Sequence, residues 1–419
     1  LNQSIATAPW DVMDIYDDVN DAESYFSQLF ISLCNEHIPN KEITIYPKNK
    51  PWMNNEVKKA FIKRDKAHRK WKKHRNARTE AAYKNARHEA NAAKYLSKQN
   101  YDKKIADKLQ DPSTCNKEYW HLSKLVYGNK VKTGIPSIID DNQIISDSQH
   151  KANLFNQHFS RKSKLPEQTP QLPPVQSVTD ARLDSIEVCV SEVEEILKEL
   201  NISKANGPDN VSNRILKQVA NSIARPLAKI CNKSLSSGIF PDKWKEAHVS
   251  PVFKKSDRQD KNNYRPISLL SNIAKVLERL VFNVLYKYCI ENNILTWRNS
   301  GYKQLDSTVN QLVFLCHKIY EALAEGKDVC FVSLDASAAF DRVWHEGLLY
   351  KLKCYGISGT FLSWIASYLS NRKQRVVIDG SKSDWTFISA GVPQGSILGP
   401  LLFLIYVNDI INDIESEIL

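Results

Sequence analysis

A largely apolar run, Val-Cys-Phe-Val-Ser-Leu at 329–334, delivers one carboxylate, Asp335, and further on the chain reads Gly-Val-Pro-Gln-Gly-Ser-Ile-Leu-Gly-Pro at 391–400. These two segments restrict the fold more than any others. A run without polar alternation predicts a buried strand. The glycines around Pro393-Gln394 let a backbone turn approach another chain or a ligand closely.

From Ser191 onward the pattern is a dense alternation of helix and strand. Val193–Leu200 has helical spacing and ends at Asn201. After the Asn206-Gly207-Pro208-Asp209 turn, 213–235 reads as helix and closes at Gly238. His248–Lys254 is a short strand, and Ser271–Tyr288 and Thr308–Leu323 are amphipathic helices, the second stopped at Gly326. Helices are expected at about 338–353 and 359–371. A hairpin of 375–379 and 385–389 turns across Gly380, and Pro400 opens a last apolar helix. The fold class is α/β, in the α+β sense.

The first half has a different character. An amphipathic helix is expected from Asp21 to His37 and a short strand-like run from Ile43 to Tyr46. Asn54–Leu109 contains no Pro or Gly and is rich in Ala, Lys, Arg and Glu, which predicts one long helix or two abutting ones. Its apolar stripe is narrow: Val57, Phe61, His68, Trp71, then mostly Ala. A globular pattern resumes over 111–165, and the prolines of 166–177 mark a linker. The expected division is 1–110, a connector over 111–200, then 201–327 and 328–419.

Charge is concentrated. The chain carries +11, but Val57–Lys104 alone holds 17 Lys and Arg against 4 Asp and Glu, a net of +13 that leaves the remainder at −2. Such a block faces nucleic acid or an anionic membrane, unless it is simply a solvated helix face. Lys58, Lys63, Arg64, Arg69, Lys72, Lys73 and Arg75 are its candidate contacts. The longest apolar run, Leu401–Val407, is too short to span a bilayer, and the start has no secretory pattern. The eight cysteines form no C-x-x-C pair, so buried free thiols in a reducing intracellular compartment are expected. The missing initiator Met suggests a piece of a longer chain.

Ser-Leu-Asp-Ala-Ser-Ala-Ala-Phe-Asp (333–341) and the Pro-Gln-Gly turn, in this order, resemble motifs A and B of reverse transcriptases. The likeness is greatest to the enzymes of non-LTR (LINE-type, jockey-like) retrotransposons. Val252-Phe253-Lys254-Lys255 with Asn263-Tyr264-Arg265-Pro266-Ile267-Ser268 resembles their fingers hairpin, and Lys204–Asp209 their Lys-x-x-Gly-Pro-Asp signature. Two positions depart from the family pattern, Ala338 for a lysine and Asn210 for a glycine.

The resemblance implies a right-hand polymerase, with fingers over 201–327 and an incomplete palm over 328–419. It implies an RNA template, a DNA primer or target, deoxynucleoside triphosphates, and Mg²⁺ (or Mn²⁺), in the nucleus and cytoplasm and not on a membrane. It leaves the oligomeric state open. Asp335 becomes the catalytic residue and metal ligand, since hard oxygen ligands suit the two ions of nucleotidyl transfer; standing alone, it would read as a helix cap. Lys254, Lys255 and Arg265 are expected on the triphosphate, Phe340 beneath the sugar as a wall against a 2′-hydroxyl, and Gln394 and Gly395 beside the nucleotide. Lys204 is expected near RNA. Asp341 reads as structural, pairing with Arg342 or Lys318.

No pair of adjacent acids follows Gln394, so these 419 residues alone are expected not to synthesise DNA, and the unpaired apolar run should favour aggregation. The alternative from another class is a non-enzymatic RNA-binding protein. An RNA-dependent RNA polymerase is disfavoured by the aromatic at Phe340.

Overall fold

The structure, a computed structural model, describes residues 1–39, 50–126, 134–165, 172, 179–412 and 414. The expected run 43–46 and nearly all of the 166–177 linker lie outside them. In chain order come helices α1 (Asn2–Thr7), α2 (Val19–His37), α3 (Asn55–His74), α4 (Ala77–Gln110) and α5 (Asn116–Val126). Strands β1 (Ile138–Asp140) and β2 (Gln143–Ile145) lead to α6 (Ser148–Lys162), α7 (Val190–Glu199), α8 (Asn213–Gln218) and α9 (Ala220–Ser237). Then follow β3 (Glu246–Phe253), β4 (Tyr264–Leu269), α10 (Asn272–Glu291), α11 (Thr308–Ala324), α12 (His345–Cys354) and α13 (Gly359–Leu369). The last elements are β5 (Arg372–Ile378), β6 (Ser381–Lys382), β7 (Thr386–Ile388) and α14 (Gly399–Val407).

Two compact units result, one of 1–39 with 135–419 and one of 40–134. The expected boundary at 110 therefore falls inside the second unit. The reason is apolar burial. Trp10, Met13, Phe26 and Phe30 are buried in the same core as α9, α10 and α13, and Trp244 donates through Nε1 to Glu23 of α2 at 2.9 Å.

In the second unit the basic stretch is a helical hairpin. Arg75 ends α3 in the left-handed region (φ 44°), and Asn76 caps α4 by accepting from the Thr79 amide. The two helices run antiparallel. Lys63 bonds Glu89 at 2.6 Å, and Trp71 stacks on Tyr83 with ring centres 5.5 Å apart. The seam buries little beyond Val57, Ala86 and Ala90, so the charged faces stay in water.

The main sheet of the first unit has the order β4-β3-β5-β6, with β7 also on β5. β3 and β4 are antiparallel, pairing Val252 with Arg265, while β3 and β5 are parallel, pairing Val249 with Val376. Helix α6 covers this sheet: Phe155 and Phe159 pack with Val249, Tyr264 and Val376, and Asn156 Nδ2 bonds Thr386 Oγ1 at 2.9 Å. Beneath lies the larger core of α9, α10 and α13, in which Ser271 caps α10 and Gly238 closes α9 at φ 69°. The Gly-Pro-Asp turn is fitted against it. A Cβ on Gly207 would lie 2.5 Å from the Leu270 backbone. Gly207→Ala is therefore expected to destabilise this unit by about 1–3 kcal/mol, seen as a lower urea midpoint at unchanged slope. Asn210, where the family pattern has glycine, adopts φ 58°, a conformation that Asn tolerates better than most residues.

Three expectations are corrected. Residues 329–334 form no strand, and Phe331, Val332 and Leu334 are exposed. A strand needs a neighbour to bond its amides and carbonyls, and among the described residues no strand pairs with this run. The helix expected from 338 starts at His345, after a 3₁₀ turn over Phe340–Arg342. Four cysteines expected to be buried, 115, 189, 316 and 330, are exposed.

Candidate active site

The Pro-Gln-Gly turn lies against the segment that carries Asp335 and Phe340. The Val392 amide donates to the Phe340 carbonyl and the Gly391 amide to the Val343 carbonyl, both at 2.8 Å. His345 Nε2 donates to the Gly391 carbonyl, also at 2.8 Å; burial lowers the pKa of this imidazole. On the other side the Ser268 amide of β4 donates to the Gln394 carbonyl at 2.8 Å. Gly395 follows at φ 126°, where a Cβ would lie 2.5 Å from the Ser268 carbonyl oxygen. A side chain there would both strain the backbone and push β4 away.

Gln394 turns its side chain to a residue expected elsewhere. Its Nε2 donates to Asp341 Oδ1 at 2.9 Å. Asp341 thus finds its partner on the turn rather than in Arg342, and Lys318 donates to Glu321. Burial pushes the Asp341 carboxyl above the usual range, opposed by the Gln394 bond and by Lys162. Asp341 and Gln394 line a cavity of about 50 Å³ with Ser163, Lys245, Ser268 and Arg372. That volume admits a few waters and is far below the roughly 300 Å³ at which ligand pockets begin.

A second carboxylate secures the turn from below. Glu278 of α10 is buried and accepts from the Ile397 amide and from Tyr368 Oη. Burial raises its pKa as well, against the pull of the Ile397 amide and Arg372. Neither Asp341 nor Glu278 was expected at the site. Each meets the turn through a contact distant in sequence, and no local pattern reveals it.

The remaining candidates occupy different places. Arg265 on β4 and its partner Val252 are both exposed, and Lys254 and Lys255 follow at the exposed end of β3, so the hairpin gathers these cations on its solvent side. Phe340 is half-buried; its ring stacks on Phe403 at 4.5 Å and meets Tyr302 edge-on at 5.7 Å. Asp335 is exposed. Among the described residues no three His, Cys, Asp or Glu side chains are grouped to hold a metal ion. Lys204 is exposed in its turn. In the helical hairpin Lys58, Arg69, Lys72, Lys73 and Arg75 are exposed, while Lys63 is tied to Glu89, and Arg64 to Asp65 and the Phe61 ring. Among the described residues no helix is long and apolar enough to cross a membrane.

Comparison with known proteins accords with this geometry. Residues 253–418 match the family described as reverse transcriptase (RNA-dependent DNA polymerase). A probable RNA-directed DNA polymerase from transposon BS of Drosophila melanogaster is 32% identical over 284 residues, which are 66% of this chain and 31% of the relative. The RNA-directed DNA polymerase from mobile element jockey of the same species is 35% identical over 53% of this chain and 24% of its own length. Its Drosophila funebris counterpart is 32% identical over 63% and 30%. The chain thus spans about a third or less of these curated relatives. With a Pro-Gln-Gly turn bonded to the segment of Phe340 and Val343, and with these relatives, residues 253–418 carry a reverse transcriptase domain similar to that of the jockey-like enzymes of non-LTR retrotransposons.

Proposed function

We propose that this chain supplies the fingers and part of the palm of an enzyme that extends a DNA 3′-end on an RNA template. The observation that carries this reading is the bonding of the Pro-Gln-Gly turn to both the Phe340 segment and β4. In this reading Arg265, Lys254 and Lys255 hold the triphosphate, guanidinium by paired bonds and ammonium as point charges. Gln394 and Gly395 border the nucleotide, and the cations of the helical hairpin and Lys204 hold nucleic acid. Mg²⁺, or Mn²⁺ in its place, is the metal such transfer uses, and Asp335 is a ligand of the right kind. Among the described residues no three candidate ligands are grouped, so they do not compose a two-ion site. An intracellular setting, nucleus and cytoplasm, goes with this function.

Primer extension tests the proposal, with RNA template, annealed DNA primer, deoxynucleotides, and Mg²⁺ or Mn²⁺. The 419-residue chain alone should give no extension. The same residues grafted in place of their counterparts in a jockey relative should restore it. A graft that folds and binds RNA yet extends nothing would refute the reading.

Phe340 has its own test. In an extending preparation, Phe340→Ala should raise ribonucleotide use relative to deoxynucleotide, because a steric wall is removed. Phe403→Ala removes the same ring stack, worth about 0.5–1.5 kcal/mol, and should leave sugar choice unchanged. Equal sugar preference in wild type and Phe340→Ala would reduce Phe340 to a packing residue.

A further inference from the structure

We propose that Asp341 is the positioning residue for Gln394, fixing its side-chain amide so that the carbonyl oxygen, more than the amino group, is offered to a bound nucleotide. The inference rests on the reading of Gln394 as a nucleotide contact. The main chain of the turn is already fixed from both sides, by Phe340 and Val343 and by Ser268. What the backbone does not fix is the Gln394 side chain, a flexible stem ending in an amide that offers donors at one end and an acceptor at the other. An anionic acceptor resolves that ambiguity. With Nε2 on Asp341 Oδ1 at 2.9 Å, one N–H is used, while Oε1 keeps its full capacity to accept.

The surroundings favour this role. Asp341 sits on a 3₁₀ turn whose neighbour Phe340 holds the Val392 amide, so donor and acceptor are carried on segments already bonded together. The pair lines a cavity large enough for a few waters, and a hydrogen bond to a charged acceptor in such surroundings is stronger than a neutral one. Burial raises the pKa of Asp341, and the Gln394 bond and then Lys162 of α6 oppose that shift in favour of the ionised carboxylate. The consequence is chemical selectivity. The site as built favours a ligand group that donates a hydrogen bond to Gln394, a hydroxyl or an amine, over one that only accepts.

The experiment uses the whole chain with an RNA–DNA duplex and a fluorescent deoxynucleoside triphosphate, comparing Asp341→Leu with Asp341→Asn, whose side-chain carbonyl can still accept from Nε2. Asp341→Leu should weaken nucleotide binding about tenfold or more, and Asp341→Asn should recover most of the loss. In a Gln394→Ala background neither change should matter. The Gln394 side-chain amide signal in ¹⁵N NMR, assigned with Gln394→Ala, should move in Asp341→Leu and stay in place in Asp341→Asn. Equal losses in both variants, a loss that persists without Gln394, or an amide signal indifferent to Asp341 would overturn the proposal. A wild-type chain that binds no nucleotide while its amide signal depends on Asp341 would instead overturn the polymerase reading and leave the positioning role standing.

Discussion

In any preparation carrying these residues that extends a primer, Asp335→Ala is expected to abolish incorporation, by about a thousandfold or more. Stabilising charge in the transition state by a metal centre is worth several kcal/mol, and each 1.36 kcal/mol is about tenfold in rate. Asp335 is exposed at the end of a segment anchored, through Phe340 and Val343, to the Pro-Gln-Gly turn. Because the side chain is exposed, its removal should leave the fold nearly as stable as before. Single-nucleotide incorporation at saturating substrate, with a thermal melt as control, separates the outcomes. Asp335→Ala with more than a tenth of wild-type activity would mean that the catalytic carboxylates lie elsewhere. Asp341→Asn is the informative contrast, since it keeps an acceptor for Gln394 and should retain most incorporation.

The second large effect is electrostatic. A peptide spanning Val57–Lys104, the core of the helical hairpin, is expected to bind RNA without sequence preference and to release it steeply as salt rises. If five of its exposed cations, Lys58, Arg69, Lys72, Lys73 and Arg75, each neutralise a phosphate, a fourfold rise in salt should weaken binding about 100- to 500-fold. The structure adds a finer expectation. Lys63 and Arg64 already have carboxylate partners, so replacing them should change the salt slope less than replacing Lys72 and Lys73. Helical content by circular dichroism must accompany the titration, because the seam of Trp71, Tyr83 and alanines is thin. A flat salt response would mark the hairpin as a solvated face.

What the sequence by itself determined was local. The capping serine of α10, the closing glycine of α9, the asparagine at the left-handed position of the Gly-Pro-Asp turn and the apolar spacing of α2 and α10 act within a turn or two of the chain. Such signals are readable because the groups they satisfy are near neighbours. The basic block was equally plain, since charge needs no partner to be counted. Even there, only the tertiary structure showed two antiparallel helices turning at Arg75 and Asn76, and which cations already had partners.

The tertiary structure alone decided whatever depends on a second segment. Residues 329–334 have the composition of a buried strand, yet composition cannot supply the neighbour whose amides and carbonyls a strand requires. The first 39 residues join the main core rather than the basic hairpin because Phe26 and Phe30 are buried there, a choice that no linker composition announces. The motif singles out Gln394 as a candidate. It does not single out the partner, because Asp341 lies 53 residues earlier, and a hydrogen bond at that separation exists only once the Pro-Gln-Gly turn has been folded onto Phe340 by backbone bonds that every residue type could make.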